Sequence, residues 1–376
     1  MNRTRTFRAP GRVNLIGEHT DYNLGFVLPI ALDLVTYIET SPCEDGRLRV
    51  YSEQHGEERT FAVDEIGKLT RQKHWSDYVI GVAQQLLARG VTIEPLSLRI
   101  RSKVPEGSGL SSSAALEVST AFALLQGGLF DKVELAKLCR RAETDFVGMP
   151  CGIMDQYVSI FGRDHAAIRI DCRSLEHKAV TLPQNLEIIA VNSMVKHELG
   201  ASAYSTRVEE CATAVEAIRR RFPHVESLRD ANPAEVEKTP MPTTVMRRAR
   251  HVVTENARVE LFVHAAEQGN LERMGELFTE SHRSMQHDYE ITCDEVDFLV
   301  DTAIGIHGCY GARMTGGGFG GCTVNLVDPD AVGRFERSVR ELYRERFDID
   351  PPIFRCVPAA GAGEVSSGAV SPVSVQ

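Results

Sequence analysis

Four clusters of residues carry side chains that can do chemistry. The first is Gly11-Arg12-Val13-Asn14-Leu15-Ile16-Gly17-Glu18-His19-Thr20-Asp21-Tyr22-Asn23. Donors and acceptors of this kind, packed into one run, suit the hydroxyls of a sugar. A polar surface loop has the same composition, and metal ligation by His19 and Asp21 lacks further ligands at a recognisable spacing. The second is Pro105-Glu106-Gly107-Ser108-Gly109-Leu110-Ser111-Ser112-Ser113-Ala114. Its glycines let the backbone approach an anion, and the helix start that follows offers free N–H groups. Its serines can bind phosphate oxygens, give a hydroxyl to a magnesium ion, or do no more than cap the helix. A P-loop is absent, because Gly67-Lys68 is followed by Leu69.

The third cluster is Gly148-Met149-Pro150-Cys151-Gly152-Ile153-Met154-Asp155-Gln156. Asp155 opens an apolar stretch, where an aspartate ordinarily complements the helix dipole. Glu143, just upstream, lies about 80° round a helix from Leu135, at the border of the buried stripe. It can face a cleft or form a surface ion pair. The fourth is Gly316-Gly317-Gly318-Phe319-Gly320-Gly321. It contains G-x-G-x-x-G, but a strand follows rather than a helix, so it is no dinucleotide fingerprint. It reads as a loop approaching a ligand closely, or as a tight turn between strands.

Positioning these clusters requires a mixed scaffold. Leu96, Leu98, Ile100, Ser102 and Val104 alternate with polar residues, which predicts a half-buried strand. A helix is predicted from about Ser112 to Leu125. Another starts at Asp131, with Glu134 completing a capping-box pattern, and buries Leu135, Leu138, Cys139, Ala142 and Phe146. A strand over Leu186 to Val191 follows. Val208, Cys211, Ala212, Val215 and Ile218 have helical spacing, Asn232-Pro233 with Glu235 opens a further helix, and Thr292 with Glu295 is expected to cap one running to Ile306. Cys322, Val324 and Leu326 belong to a strand after the glycine run. The succession is α+β rather than a regular βαβ order.

The whole composition narrows the classes. The chain has 376 residues and a formal charge of -10, which attracts neither nucleic acid nor an anionic membrane in bulk. No run of about 18 apolar residues exists to span a bilayer. The polar, basic N-terminus has no apolar stretch of the secretory kind. Nine cysteines without a C-x-x-C pair read as reduced thiols in a cytoplasmic protein. Residues 359–376, rich in Ala, Gly, Ser and Val, are expected to form a disordered tail.

In this order, the four segments resemble the GHMP small-molecule kinases, and among them the galactokinases. The Arg12 to Tyr22 run resembles the signature of that branch; Pro105 to Ala114 resembles the family's serine-rich ATP loop, and Gly311 to Gly321 its third motif. The resemblance implies a two-domain α+β fold: residues 1–180 like ribosomal protein S5 domain 2, residues 181–358 ferredoxin-like, with the active site in the cleft between them. It implies transfer of the γ-phosphoryl of ATP to the C1 hydroxyl of α-D-galactose, the step that opens galactose metabolism. Asp155 would be the base, with Arg12 beside it. Glu18, His19, Asp21, Gly152 and Tyr204 would hold the sugar. Gly107, Ser108, Gly109, Leu110, Ser111, Ser112, Ser113 and Ala114 would hold ATP, with Trp75 and Tyr78 as adenine-pocket aromatics or simply a core pair. Mg²⁺ would sit on Glu143 with Ser112 or Ser113. The partners implied are galactose and MgATP, with no nucleic acid, no membrane and no dedicated protein partner, the chain being a monomer. A related kinase for N-acetylgalactosamine or arabinose is the nearest rival. A sugar sensor without turnover is disfavoured by the intact serine loop and Asp155.

Overall fold

The computed structural model describes residues 4–196 and 200–365. β1 (Arg5–Asn14) is followed by β2 (Phe26–Val27), β3 (Pro29–Pro42), β4 (Arg47–Ser52) and β5 (Glu57–Ala62). Helix α1 (Ser76–Leu87) leads to β6 (Leu96–Ser102), then α2 (Ser112–Leu125), α3 (Lys132–Arg141) and α4 (Met154–Phe161). β7 (Ala166–Asp171), β8 (His177–Thr181) and β9 (Glu187–Lys196) precede five helices. These are α5 (Gly200–Arg221), α6 (Pro233–Lys238), α7 (Thr243–Glu267), α8 (Leu271–Ser284) and α9 (Asp294–Ile304). The last elements are β10 (Cys309–Thr315), β11 (Gly320–Val327), α10 (Val332–Phe347), β12 (Ile353–Arg355) and β13 (Gly363–Val365).

A six-stranded sheet has the order β13-β1-β3-β6-β4-β5, antiparallel except where β4 meets β6. Its apolar face, with Phe7, Ile38, Leu98 and Ile100, packs on Val82 of α1, Val118 of α2, Leu138 of α3 and Tyr157 of α4. A four-stranded antiparallel sheet has the order β10-β11-β9-β12. There Val191, Ala312 and Val327 meet Leu299 of α9 and Phe335 of α10. β2, β7 and β8 form a small third sheet. One buried cluster joins the halves, taking Val13, Ile30 and Leu110 from one and Ile188, Phe262 and Val324 from the other. Each such side chain contributes roughly 1.5–3 kcal/mol on burial, so the cleft between the halves has a rigid floor.

Local signals in the sequence account for several boundaries. α2 spans the expected residues, and the Asp131 side chain caps α3 by accepting from the Glu134 N–H. Asn232 and Glu235 form the reciprocal capping box of α6. Other expectations fail. The Thr292 hydroxyl does not cap α9; it donates to Asp297, and the helix begins at Asp294. On α5 the buried face is Cys211, Ala214 and Ile218, and Ala212 is exposed. The expected tail at 359–376 is ordered over 359–365. Ala359 N–H donates to Ala31 O at 2.9 Å, Ala362 N–H to Ser159 O at 2.8 Å, and β13 pairs with β1, Thr6 facing Val365. Small residues are what this stretch needs, because a Cβ at Gly361 would lie 2.2 Å from Ile160 O. Residues 366–376 lie outside the described residues. Among the described residues, no helix is long and apolar enough to cross a membrane.

Candidate active site

The site starts from a fault in strand pairing. β1 and β3 lose register between Pro10 and Arg12, a bulge that re-aims the residue after it. A Cβ at Gly11 would stand 2.6 Å from Leu110 O, and Arg12 N–H donates to that same oxygen at 3.0 Å. The polar run of β1 and the serine turn are thus joined directly. Arg12 then grips Asp155 with two bonds, Nε to Oδ1 at 2.8 Å and Nη2 to Oδ2 at 2.7 Å, while Nη1 donates to Gly109 O at 2.6 Å. The Ser111 hydroxyl also donates to Asp155 Oδ2. Ser111 precedes α2 at φ 60° without capping it, a left-handed backbone that a non-glycine residue holds only under constraint.

On one side of Asp155 lies a cavity of about 230 Å³, lined by Arg12, Glu18, His19, Asp21, Gly152 and Tyr204 together with Gly316, Gly317 and Gly318. Gly152 is there because Asp21 is: an added Cβ would fall 1.5 Å from Asp21 Oδ2. Burial, and then the neighbouring Asp155, push the Asp21 carboxyl up to about 6. Glu18 Oε1 accepts from Gly316 N–H at 3.1 Å and from the Thr315 hydroxyl at 3.3 Å. His19 is caged by Tyr22, Tyr204 and Tyr289, with ring centroids 5.0–5.6 Å away. Its Nε2 faces Gly317 O at 3.3 Å and its Nδ1 the Tyr22 hydroxyl at 2.8 Å. A carbonyl can only accept, so Nε2 carries the proton and Tyr22 donates to Nδ1. Burial lowers this imidazole to about 3, so it stays neutral.

A second cavity, of about 270 Å³, is lined by Trp75, Tyr78, His55, Gly107, Ser112 and Ser113. His55 stacks on Trp75 with centroids 5.4 Å apart and planes 7° from parallel. Behind it sits a pair of buried carboxylates. Gln156 Nε2 donates to Glu143 Oε2 at 2.7 Å and to Glu117 Oε2 at 2.9 Å. Burial raises Glu143 to about 7, with Asp155 the next cause, against a hydrogen bond from Ser113. Glu117 is pushed up further by burial and by Glu143. Carboxyls buried together in this way hold a proton at neutral pH more readily than exposed ones. One carboxylate and serine hydroxyls fit Mg²⁺, which takes few protein oxygens and fills its shell with phosphates and water.

The sequence matches three family descriptions: Galactokinase galactose-binding signature over residues 2–42, GHMP kinases N terminal domain over 77–163, and GHMP kinases C terminal over 262–345. It is 42% identical over 366 residues to a galactokinase of Roseiflexus sp. (strain RS-1), covering 96% of this chain and 93% of the relative. It is 44% identical over 363 residues to a galactokinase of Chloroflexus aggregans, covering 95% and 93%. The chain belongs to the galactokinases of the GHMP kinase family. A crystal structure of Lactococcus lactis galactokinase complexed with galactose superposes with a TM-score of 0.92 at 34% identity, over 96% of this chain and 95% of that one. The α+β galactokinase fold with its N- and C-terminal domains is therefore that of the present molecule.

Against the galactokinase pattern, the sequence-predicted residues divide by position. Arg12, Asp155 and Ser111 meet at one point, and Glu18, His19, Asp21, Gly152 and Tyr204 share the first cavity. Trp75, Tyr78, Gly107, Ser112 and Ser113 share the second. Ser108, Gly109, Leu110, Ser111, Ala114 and Glu143 line neither. The Ser108 hydroxyl donates to Pro105 O at 2.8 Å, and Leu110 and Ala114 are buried in the core. Glu143 lies not on α3 but on a wider π-type turn over residues 142–147, a distortion common at functional sites. Sequence reasoning passed over Glu117 and Gln156. The signal was available, since a glutamate inside the apolar helix α2 is out of place unless paired.

Proposed function

We propose that this cleft transfers the γ-phosphoryl group of ATP to the C1 hydroxyl of α-D-galactose, with Asp155 as the base. The chain phosphorylates galactose at the expense of ATP, and the proposal concerns which of its residues do so. The carrying observation is the Asp155 carboxylate on the wall of the first cavity, held by Arg12 and by Ser111, the chain neighbour of Ser112 in the second. A carboxylate so placed accepts the hydroxyl proton as the oxygen attacks. Arg12 favours its ionised form and offsets negative charge building on the transferring group. The transition state of such transfers is largely loose, so positioning carries most of the catalysis.

The sugar is assigned to Glu18, His19, Asp21, Gly152 and Tyr204. Asp21 accepts from the C4 hydroxyl, His19 or Glu18 holds C6, and Tyr204 closes the pocket from α5. His19 reaches a sugar oxygen by exchanging its bond to Gly317 O. ATP is assigned to Gly107, Ser112 and Ser113 of the serine turn, with Trp75 and Tyr78 flanking adenine. Glu143 with Ser112 or Ser113 would hold Mg²⁺, which neutralises phosphate charge when bound. We also place the domain boundary near residue 180, at the end of β8. All nine cysteines are free, which supports work in the reducing cytoplasm, and we take the chain to act as a monomer. A coupled assay of ADP release with galactose and with glucose, with and without magnesium, tests the reading. Galactose-independent release, or equal use of both sugars, would overturn it.

A further inference from the structure

We infer that Glu255 and Arg313 are positioning residues of the sugar pocket, acting through Glu18. Neither lines the cavity; Glu18 does, and the inference rests on the reading that Glu18 faces galactose. Arg313 on β10 is fully buried. Its Nη1 donates to Leu15 O at 2.6 Å and to Asn14 O at 3.3 Å, and its Nη2 lies 3.5 Å from Glu18 Oε1 and 3.8 Å from Glu255 Oε1. Glu255 on α7 is also fully buried. Its Oε1 accepts from Gly17 N–H at 2.9 Å, Glu18 N–H at 3.3 Å and the Ser281 hydroxyl at 2.7 Å, while Oε2 accepts from Arg258 Nε at 2.7 Å.

These contacts hold Glu18 at two levels. Glu255 fixes its backbone, and Arg313, with Gly316 and Thr315, fixes its carboxylate. The cluster sets the Glu18 and Glu255 carboxyls against the Arg313 and Arg258 guanidinium groups, so removing one member leaves buried polar groups without their partner. Stability alone is a poor reason for such a cluster. Buried ion pairs gain little over apolar packing, and Arg313 Nε and Arg258 Nη2 remain without partners. What the cluster supplies is direction: four separated segments, at residues 14–18, 255–258, 281 and 313–316, converge on one side chain at the cavity wall. A pocket that recognises a hydroxyl needs that acceptor fixed before the ligand arrives.

The test is a double-substitution cycle on the full chain, with Glu18→Gln, Glu255→Gln and the pair. Glu255→Gln should raise the KM for galactose about tenfold, the size of one misplaced hydrogen bond, and leave the KM for ATP within about twofold. The double variant should then match Glu18→Gln alone within about twofold, because both changes act on one side chain. If the two effects multiply, or if both substrates' KM values rise alike, Glu255 is only structural and the inference falls. If Glu18→Gln leaves the galactose KM unchanged, the reading of Glu18 itself fails, and the inference with it. Should Glu255→Gln not fold, Ser281→Ala removes one bond to Oε1. The same cycle with Glu18→Gln is then read for a rise of about threefold.

Discussion

The two cavities are prepared in different ways. On the side assigned to the sugar, neighbours fix the direction of the polar groups: Asp21 fills the space left by Gly152, His19 sits in a tyrosine cage, and Glu18 hangs from a buried ionic cluster. On the side assigned to the nucleotide two carboxyls are buried together. Burial first, and then the neighbouring Asp155, raise Glu143 to about 7, and burial, then Glu143, push Glu117 up. A neutral sugar brings no charge of its own, so its site must supply direction in advance. A metal–phosphate complex brings both signs of charge, and its site can wait in an uncharged or half-charged state. Preorganisation and electrostatic reserve are two solutions to binding, set a few residues apart.

The strongest challenge to this contrast falls on the Asp155 carboxylate. Asp155→Asn should reduce kcat by ~10² or more and leave galactose binding within about an order of magnitude. Calorimetry of galactose binding beside steady-state rates reads both, and near-normal turnover would mean that no base is needed. Next comes the directional side. Glucose should be used at least ~100-fold less efficiently than galactose, and Asp21→Ala should narrow that gap by losing galactose activity. Comparison of kcat/KM for both sugars in both proteins decides; a gain of glucose activity would contradict the assignment.

On the electrostatic side, Glu143→Ala should raise the magnesium concentration for half-maximal rate about tenfold. Mn²⁺ binding followed by electron paramagnetic resonance checks the affinity apart from activity. An unchanged titration would leave Glu143 as a buried charge without a ligand. A smaller effect, roughly three- to tenfold in kcat, is expected for Ser111→Ala, which deletes one bond to Asp155. Ser108→Ala, whose hydroxyl serves only Pro105, should stay near the parent.

The smallest effect concerns stability. The folded chain keeps a proton on Asp21 up to about pH 6, whereas the unfolded chain loses it near 3.8. Folding therefore takes up a proton in that window, and stability drops as pH rises through it. Asp21→Asn should be more stable than the parent at pH 8 and equal to it below pH 4. Urea melts at the two pH values would show it, and equal midpoints at pH 8 would place Asp21 in a wetter setting.

The sequence made local features readable and left convergent ones dark. Asp131 and Asn232 announced their helices because a cap and its target lie three residues apart. The alternation of Leu96, Leu98 and Ile100 announced β6 for the same reason. Arg12, Asp155 and the serine turn were legible as candidates, yet their meeting depends on a bulge that no local pattern marks. Glu255 and Arg313 sit far apart from each other and from Glu18 in the chain, and neither has a motif of its own. Thr292 misled because its hydroxyl had a better partner in Asp297 than the helix end it precedes. The composition of residues 359–365 suggested disorder, where small size was in fact required by close approach to Ala31, Ile160 and Gly162.

The pairing of β13 with β1 also sets a timetable. β1 is made well before its outer neighbour, which lies far along the chain, so Thr6 waits for Val365. At ordinary elongation speeds that interval is on the order of tens of seconds. Throughout it, β1 offers an open row of amides and carbonyls to any passing nascent chain. Arg5 and Arg8 on that strand give it positive charge, which keeps copies of the same edge apart during the wait. When β13 arrives, Arg5 turns from guard to clasp, binding Glu364 through Nε and Nη2 at 2.8 and 2.7 Å.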